Sequence, residues 1–365
     1  MSAESNQVPL CPEFVRERLG RAIDADASDV HLIVGYPPVL RVHGDLVELA
    51  EPVLAAEAVN AMLTALCPAD ALERLRVQKN IDFSFHVEVG GALRRFRANV
   101  FYAGRNLGAC LRVIPAGIPD FEWAGFPRPL AERLAFLRDG LVVVTGVTGS
   151  GKTTTLAMLI NLINQAGGHR IITIEDPVEY LFPKAANSVL TQREVGVDVE
   201  SFADGLKSGL RQDPDVILVG EIRDRETAQM ALSAAETGHL VLTTLHTRDV
   251  KGAISRLADF FPQDVQGEIR SQLALSLRSI VSQRLLPGAG KGERRHLALE
   301  VLWTTNPIVS AIRNGKLESI DNYLLTHRED GLVSFDESVR QLFRAKKITR
   351  AIAEQNVREL SVLNR

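Results

Sequence analysis

Gly146-Val147-Thr148-Gly149-Ser150-Gly151-Lys152-Thr153 fills every fixed position of the pattern GxxxxGK[ST]. That spacing serves one chemistry, the grip on a chain of phosphates. Glycines let backbone N–H groups turn inward onto phosphate oxygens. A helix that starts at the loop adds the positive end of its dipole. Lys152 is expected to reach the β- and γ-phosphates of ATP, and the Thr153 hydroxyl to ligate Mg²⁺. Gly146, Thr148, Gly149, Ser150, Gly151, Lys152, Thr153 and Thr154 are the candidate nucleotide contacts. The motif points to an NTPase and is silent about what the energy drives.

Phosphoryl transfer to water also needs a metal ligand and a group that orients or deprotonates the water. The apolar run Val216-Ile217-Leu218-Val219 ends in Gly220-Glu221, with glycine where such a strand usually ends in aspartate. Glu221 is the remaining acid there and is assigned to the Mg²⁺ sphere, through water. A second cluster, Glu175-Asp176-Pro177-Val178-Glu179, follows the run Ile171 to Ile174, and Pro177 stops that strand. Glu179 is the choice for polarising the attacking water. Glu175 and Asp176 either support the metal or hold the loop, since acids after strands also cap helices or face solvent. The division of roles between Glu179 and Glu221 stays open at this level.

His239 and His246 bracket the run Leu240 to Leu245. A histidine at a strand end is more often a hydrogen-bonded structural residue. His246, at the carboxyl end, is the better placed of the two to sense a γ-phosphate.

The elements that must position these groups alternate apolar strand and helix, the signature of a parallel sheet. Leu141 to Thr145, Arg170 to Ile174, Val216 to Val219 and Leu240 to Thr244 read as central strands buried on both faces. The P-loop lies between the first of them and a helix over Thr153 to Gln165. From Phe261 onward the pattern reads as helical: Gln266 to Gln283, Pro307 to Asn314, Ser334 to Ala345 and Arg350 to Leu360. Gly288 to Gly292 reads as a surface loop.

The first third reads mostly as β, with helices over Phe14 to Ala25, Leu54 to Leu66 and Pro68 to Gln78. Val30 to Val34 and Val39 to His43 are short strands, with Gly44-Asp45 as a turn. Ile81, Phe83, Phe85 and Val87 alternate with polar residues, which predicts a half-buried strand. Gly90-Gly91 turns into strands over Leu93 to Tyr102 and Leu107 to Ile114. The expected organisation is an α+β domain over 1–114, a linker over 115–119 and a P-loop α/β domain over 120–365, the last part helical.

Composition narrows the partners. Of 365 residues 45% are apolar and 24% charged, as in an ordinary globular protein of two or three domains. A net charge of −3 and 5% aromatic residues argue against nucleic acid as a partner. Cys11, Cys67 and Cys110 form no CxxC pair, so a zinc site or disulfide framework is not expected. Met1 to Pro9 has neither a basic nor an apolar targeting region. The longest apolar runs are strand-sized, so no direct membrane insertion is expected and any membrane role must come through a partner.

In order and spacing, GVTGSGKTTT, TIEDPVEY (Thr173 to Tyr180), RQDPDVILVGEIRDRET (Arg211 to Thr227) and AAETGHLVLTTLHT (Ala234 to Thr247) resemble the Walker A, Asp box, Walker B and His box of type II/IV secretion ATPases. The missing Walker B aspartate is part of the resemblance. Ala27 to Leu32 and Pro37 to Gly44 match as well, so it spans about Phe14 to Leu360. The branch most similar is PilT/PilU, the type IV pilus retraction ATPases. The PilB and GspE branches carry an extra N-terminal domain and a tetracysteine motif, which this sequence is read as lacking. A C-terminal AIRNLIRE motif of the PilT branch is matched by Ala311-Ile312-Arg313-Asn314-Gly315-Lys316-Leu317-Glu318, with an altered centre.

This resemblance implies a homohexamer whose subunits join a PAS-like N-terminal domain to a RecA-like ATPase domain, with ATP in the cleft between. It implies Mg²⁺-dependent hydrolysis at the cytoplasmic face of the inner membrane, a platform protein there as partner, and a paralogous pilus ATPase as a further candidate. Arg97 and Arg112, with Arg105 as a weaker third, match arginines that close over the phosphates; read alone, they equally suit solvated strand-face charges. A guanidinium fork fits phosphate oxygens and stays charged. An assembly or secretion motor, a nucleic-acid translocase and a PilU-like ring without autonomous turnover are the alternatives.

Overall fold

Alternation of Ile81, Phe85 and Val87 with Asp82, Ser84 and His86 gives a strand with one core face and one open face, and the amino-terminal sheet is built from such strands. The computed structural model describes residues 11–114, 117–290 and 293–364. Met1 to Pro9, the first two linker positions and the last two of the expected 288–292 loop lie outside them. The chain divides into two compact units between Gly117 and Ile118.

The first unit runs α1 (Glu13–Asp24), β1 (Ala27–Leu32), β2 (Val39–Val42), β3 (Asp45–Glu48), α2 (Ala56–Leu66), α3 (Ala69–Gln78), β4 (Asn80–Val89), β5 (Ala92–Ala103) and β6 (Asn106–Val113). Its sheet has the order β3-β2-β1-β6-β5-β4, every pair antiparallel. Val15, Leu19, Val59, Leu63 and Leu75 from the helices pack on Val30, Leu32, Phe96, Ala98 and Leu111. This is the expected α+β arrangement. The turn expected at Gly44-Asp45 falls one residue earlier. Val42 pairs with Asp45, leaving His43 and Gly44, both at positive φ, as a two-residue hairpin loop into β3.

The second unit runs α4 (Phe121–Ala124), α5 (Arg128–Ala135), β7 (Gly140–Thr145), α6 (Lys152–Ala166), β8 (Arg170–Glu175), β9 (Val189–Glu194), α7 (Phe202–Gly209), β10 (Val216–Val219), α8 (Arg225–Glu236), β11 (Leu240–Leu245), α9 (Val250–Asp259), α10 (Gln266–Ser276), β12 (Leu277–Leu286), β13 (His296–Trp303), α11 (Asn306–Arg313), α12 (Ser319–Thr326), α13 (Phe335–Arg344) and α14 (Arg350–Asn356). The sheet order is β13-β12-β7-β11-β10-β8-β9. Neighbours are parallel except β13, which is antiparallel to β12. Every residue of β7, β10 and β11 is buried, which explains their unbroken apolar runs. The order is that of a RecA-like P-loop domain, with the P-loop strand β7 central.

The helix expected over Gln266 to Gln283 is corrected. It ends at Ser276, and Leu277–Leu286 is a sheet strand beside β7, followed by the unexpected β13. Ile269 and Leu273 keep a helical spacing, whereas Leu277, Ser279, Ile280, Val281, Ser282 and Gln283 are all buried. A strand buried on both faces carries no period-two signal, so its apolar run looks like buried helix.

Candidate nucleotide and catalytic site

Register places the motifs along one edge. Ser282 pairs with Thr145, Thr145 with Leu245, Thr243 with Val219, and Val219 with Ile174. The strands therefore end together. Just beyond that row stand the P-loop, His246, Gly220-Glu221 and Glu175-Asp176. Ligands of open parallel sheets bind at this carboxyl edge. His239 sits at the opposite, amino end of β11, where its Nδ1 lies 3.0 Å from Ala234 O and 3.2 Å from Thr237 Oγ1. The structure does not bring it to the P-loop.

The loop leaves β7 through Gly146 and enters α6 at Lys152. Val147, Thr148, Gly149 and Thr153 are exposed, whereas Ser150 and Lys152 are buried. Asp224 and Asp249 cap the starts of α8 and α9 with their side chains; α6 has no side-chain cap. Its opening N–H groups are thus left for a ligand. Lys152 Nζ donates to Gly146 O at 2.9 Å and to Val147 O at 3.4 Å. Burial pushes the Lys152 pKa down, and the nearby carboxylates of Glu221 and Glu179 hold it up. A phosphate would supply the counter-charge that burial withholds. Thr154 Oγ1 and Tyr180 Oη lie 3.0 Å apart, pinning the first turn of α6 to the Asp box.

Glu221 faces two partners. Arg223 Nε donates to Glu221 Oε2 at 2.8 Å, and His246 Nε2 is 3.4 Å from Glu221 Oε1. Arg223 Nη1 also reaches Asp176 Oδ2 at 3.2 Å, joining the ends of β8 and β10. Gly220 has a steric reason to be glycine. A Cβ there would lie 3.2 Å from Ile174 O and 3.4 Å from Glu175 Cα, so a Walker B aspartate would press on the neighbouring strand. Gly220 instead donates its N–H to Ile174 O at 2.8 Å and accepts from Thr244 Oγ1 at 2.7 Å.

Glu175 is buried and accepts from Thr173 Oγ1 at 2.6 Å and Gln192 Nε2 at 3.1 Å. Burial pushes its pKa up, and these hydrogen bonds offset part of the rise. Gln192 also donates to Tyr180 O at 2.8 Å. Glu175 is thereby bonded into the loop that carries Glu179. Glu179 is half-buried, and Asp176 is exposed.

Arg97 and Arg112 are register partners on the open face of the first unit's sheet. Arg97 pairs with Asp82 at 3.2 Å and Arg112 with the buried Asp29 at 2.9 Å. Arg105 lies in the two-residue loop between β5 and β6, at φ 69°. In α11, Ala311 and Ile312 belong to the core of the second unit, and Arg313 and Asn314 are exposed. The altered centre of that motif is a helix stop. Gly315 N–H donates to Ile312 O at 3.1 Å and Lys316 N–H to Ala311 O at 2.9 Å, the paired bonds of a Schellman cap, with Gly315 at φ 67°.

Sequence reasoning assigned no role to Arg223, Tyr180, Thr173 or Gln192. The first three lie within the motifs it quoted; Gln192, on the edge strand β9, gave no signal.

The donor set fits a magnesium nucleotide: an uncapped helix start, a buried lysine, the exposed hydroxyl of Thr153 and carboxylates across the sheet edge. Ser150 Oγ is buried and, among the described residues, has no hydrogen-bond partner.

A model of the type II/IV secretion system protein family matches residues 4–357. The chain is 37% identical over 344 residues to the type IV pilus retractation ATPase PilT of Pseudomonas aeruginosa, covering 94% of this chain and 98% of that protein. It is 36% identical over 327 residues to the type IV pilus ATPase PilU of the same organism, covering 90% of this chain and 84% of that protein. A crystal structure of the pilus retraction motor PilT with bound ADP matches with TM-score 0.83 and 41% identity, over 96% of this chain and 98% of that one.

Proposed function

Because the chain belongs to the type II/IV secretion system protein family and is an ATPase of it, we propose that it is the ATP-hydrolysing motor of type IV pilus retraction. The likeness to PilT over nearly the full length of both chains supports this reading. It would act as a hexamer at the cytoplasmic face of the inner membrane, against a platform protein of the pilus machine. Among the described residues no helix is long and apolar enough to cross a membrane, so a membrane-bound partner would have to hold it there.

The single observation that carries the mechanism is the common edge at which β7, β8, β10 and β11 end. The P-loop N–H groups and Lys152 bind the phosphates. Thr153 and, through water, Glu221 would hold Mg²⁺, which when bound neutralises charge developing between the β- and γ-phosphates. Glu179 orients the attacking water and takes its proton, while Glu175 and Tyr180 fix the loop that carries it. His246 stands between Lys152 and Glu221, where it can register whether a γ-phosphate is present. Arg97 and Arg112 are proposed to bind phosphate as well, each held beforehand by one carboxylate.

The test is the ATPase rate of wild type beside Glu179→Gln and Glu221→Gln, with oligomer mass from the same samples. Loss of a water-orienting or metal-supporting carboxylate should slow turnover roughly a hundredfold with nucleotide binding largely kept. A second reading rests on the nearly equal identity to PilU: an accessory ring beside a paralogous ATPase. A wild type that forms hexamers without turning over ATP, or a Lys152→Ala variant that still restores pilus retraction in cells lacking the protein, selects the accessory ring.

A further inference from the structure

Gln283 is nearly fully buried, on the strand that the sequence pattern disguised as helix. It lies one residue past Ser282, the register partner of Thr145, and so stands beside Gly146 where the P-loop begins. Two of its groups meet the loop. Its side-chain Nε2 donates to Ser150 O at 3.1 Å. Its main-chain oxygen would lie 2.4 Å from a Cβ built on Gly146, which also has φ 146°, so no other residue fits there.

We propose that Gln283 is a positioning residue for phosphate binding, holding the Ser150–Gly151 peptide so that the Gly151 N–H is presented to the nucleotide. The inference rests on the reading of residues 146–153 as the phosphate cradle. The peptide unit is planar and trans, so its C=O and N–H point to opposite sides. A donor that fixes Ser150 O on the β12 side turns the Gly151 N–H away from β12. Gly151 stands at φ 89° at the very start of α6, where nothing in the helix fixes that peptide plane. The amide of Gln283 supplies the missing constraint. Its contact is to a backbone carbonyl, which can only accept, so the amide must present its nitrogen. The other face of the loop is held by Lys152 on Gly146 O. The cradle is thus gripped from β12 and from α6 before any phosphate arrives, which is how preorganised sites lower the cost of binding.

The contact is to substrate-binding backbone, made in the ground state and the transition state alike. Its loss should therefore weaken binding rather than slow the chemical step. Two variants separate the bond from packing. Gln283→Met keeps the length of the side chain and loses the donor. Gln283→Asn keeps the donor and loses the reach. The full-length protein is titrated with MgADP, and KM and kcat for MgATP are measured beside melting temperature. Both variants should raise the MgADP dissociation constant and the MgATP KM by about five- to tenfold, with kcat within about threefold of wild type. Weakening in one variant and not the other would trace to packing or polarity and overturn the inference, as would unchanged MgADP affinity in both. Lys152→Ala runs alongside. If it binds MgADP as wild type does, the cradle reading itself fails; if it loses binding while both Gln283 variants keep it, only the role of Gln283 fails.

Discussion

His246 presents Nε2 to Glu221 Oε1 at 3.4 Å and Nδ1 to Lys152 Nζ at 3.5 Å. A neutral imidazole has one donor and one acceptor nitrogen. Donation from Nε2 and acceptance at Nδ1 satisfies both neighbours, so the ring links the phosphate-binding lysine to the Walker B carboxylate. Both contacts are long for hydrogen bonds and leave room to tighten on a ligand. His246→Ala is expected to lower kcat about 10- to 100-fold while KM for MgATP stays within about threefold. Steady-state ATPase assays decide it; a rise in KM with kcat kept would make the histidine a binding residue instead.

Arg223 joins two acidic strand ends with one guanidinium, Nε to Glu221 and Nη1 to Asp176. The side chain is more than half exposed, so its ion pairs contribute little to stability, about 1 kcal/mol or less. Their use is geometric, since Glu221 is aimed from one side by Arg223 and from the other by His246. Arg223→Lys keeps the charge and cannot span both acids. Turnover is expected to fall roughly tenfold in both Arg223→Lys and Arg223→Ala, with the urea midpoint almost unmoved. Full activity in the lysine variant would show that charge alone matters there.

The P-loop strand, its helix and the acidic strand ends were legible because each carries a local signal. A glycine pattern sits between an apolar run and a helix, and Glu221 and Glu175 directly follow β-branched runs. Gln283 was not legible. Its neighbours Ile280, Val281 and Ser282 are buried on both faces of a sheet, so the stretch lacks the alternation that marks a strand. A buried glutamine at a strand end differs in no local way from one in a helix. Its partner, Ser150 O, is backbone and lies 133 residues away, and no side-chain pattern encodes such a contact. Arg223 was readable as a residue of its motif, but that it spans Asp176 and Glu221 follows only from β8 and β10 being neighbours. The reason for glycine at 220 is likewise tertiary, the closeness of Ile174 O and Glu175 Cα.

Gly315 ends α11 in the left-handed region, φ 67°, and a Cβ there would meet only the Arg270 guanidinium at 3.7 to 3.9 Å, ordinary contact distance. Replacement by leucine, the residue of the PilT-branch motif at this place, would therefore cost backbone strain rather than a clash. Gly315→Leu is expected to destabilise the protein by about 1–2 kcal/mol, and Gly315→Asn by less, because asparagine tolerates this conformation. Urea unfolding of the three proteins measures the order. Equal stability of the leucine variant would mean that α11 can end in another way.

Glu300 of β13 is 2% exposed and sits over the start of α9, where it accepts the Val250 N–H at 2.9 Å. Arg358 approaches its Oε1 at 3.8 Å but is shared with Asp249 and Asp321, at 3.4 and 3.0 Å. Burial pushes the Glu300 pKa up; the Val250 bond and Arg358 pull it back, and the two aspartates raise it further. A folded-state value above the unfolded one means that the folded chain holds this proton the more tightly. The stability it contributes is complete below the ordinary carboxyl range and is lost as pH rises through the raised value. Glu300→Gln keeps an acceptor for Val250 and removes the titration. The unfolding free energy of wild type relative to Glu300→Gln should therefore decline as pH is raised from the ordinary carboxyl range towards neutrality. Arg358→Met should steepen that decline, because it leaves Glu300 beside Asp249 and Asp321 without their shared cation. Urea titrations at a series of pH values give the three curves; if wild type and Glu300→Gln run parallel, Glu300 titrates alike in both states and the burial argument fails.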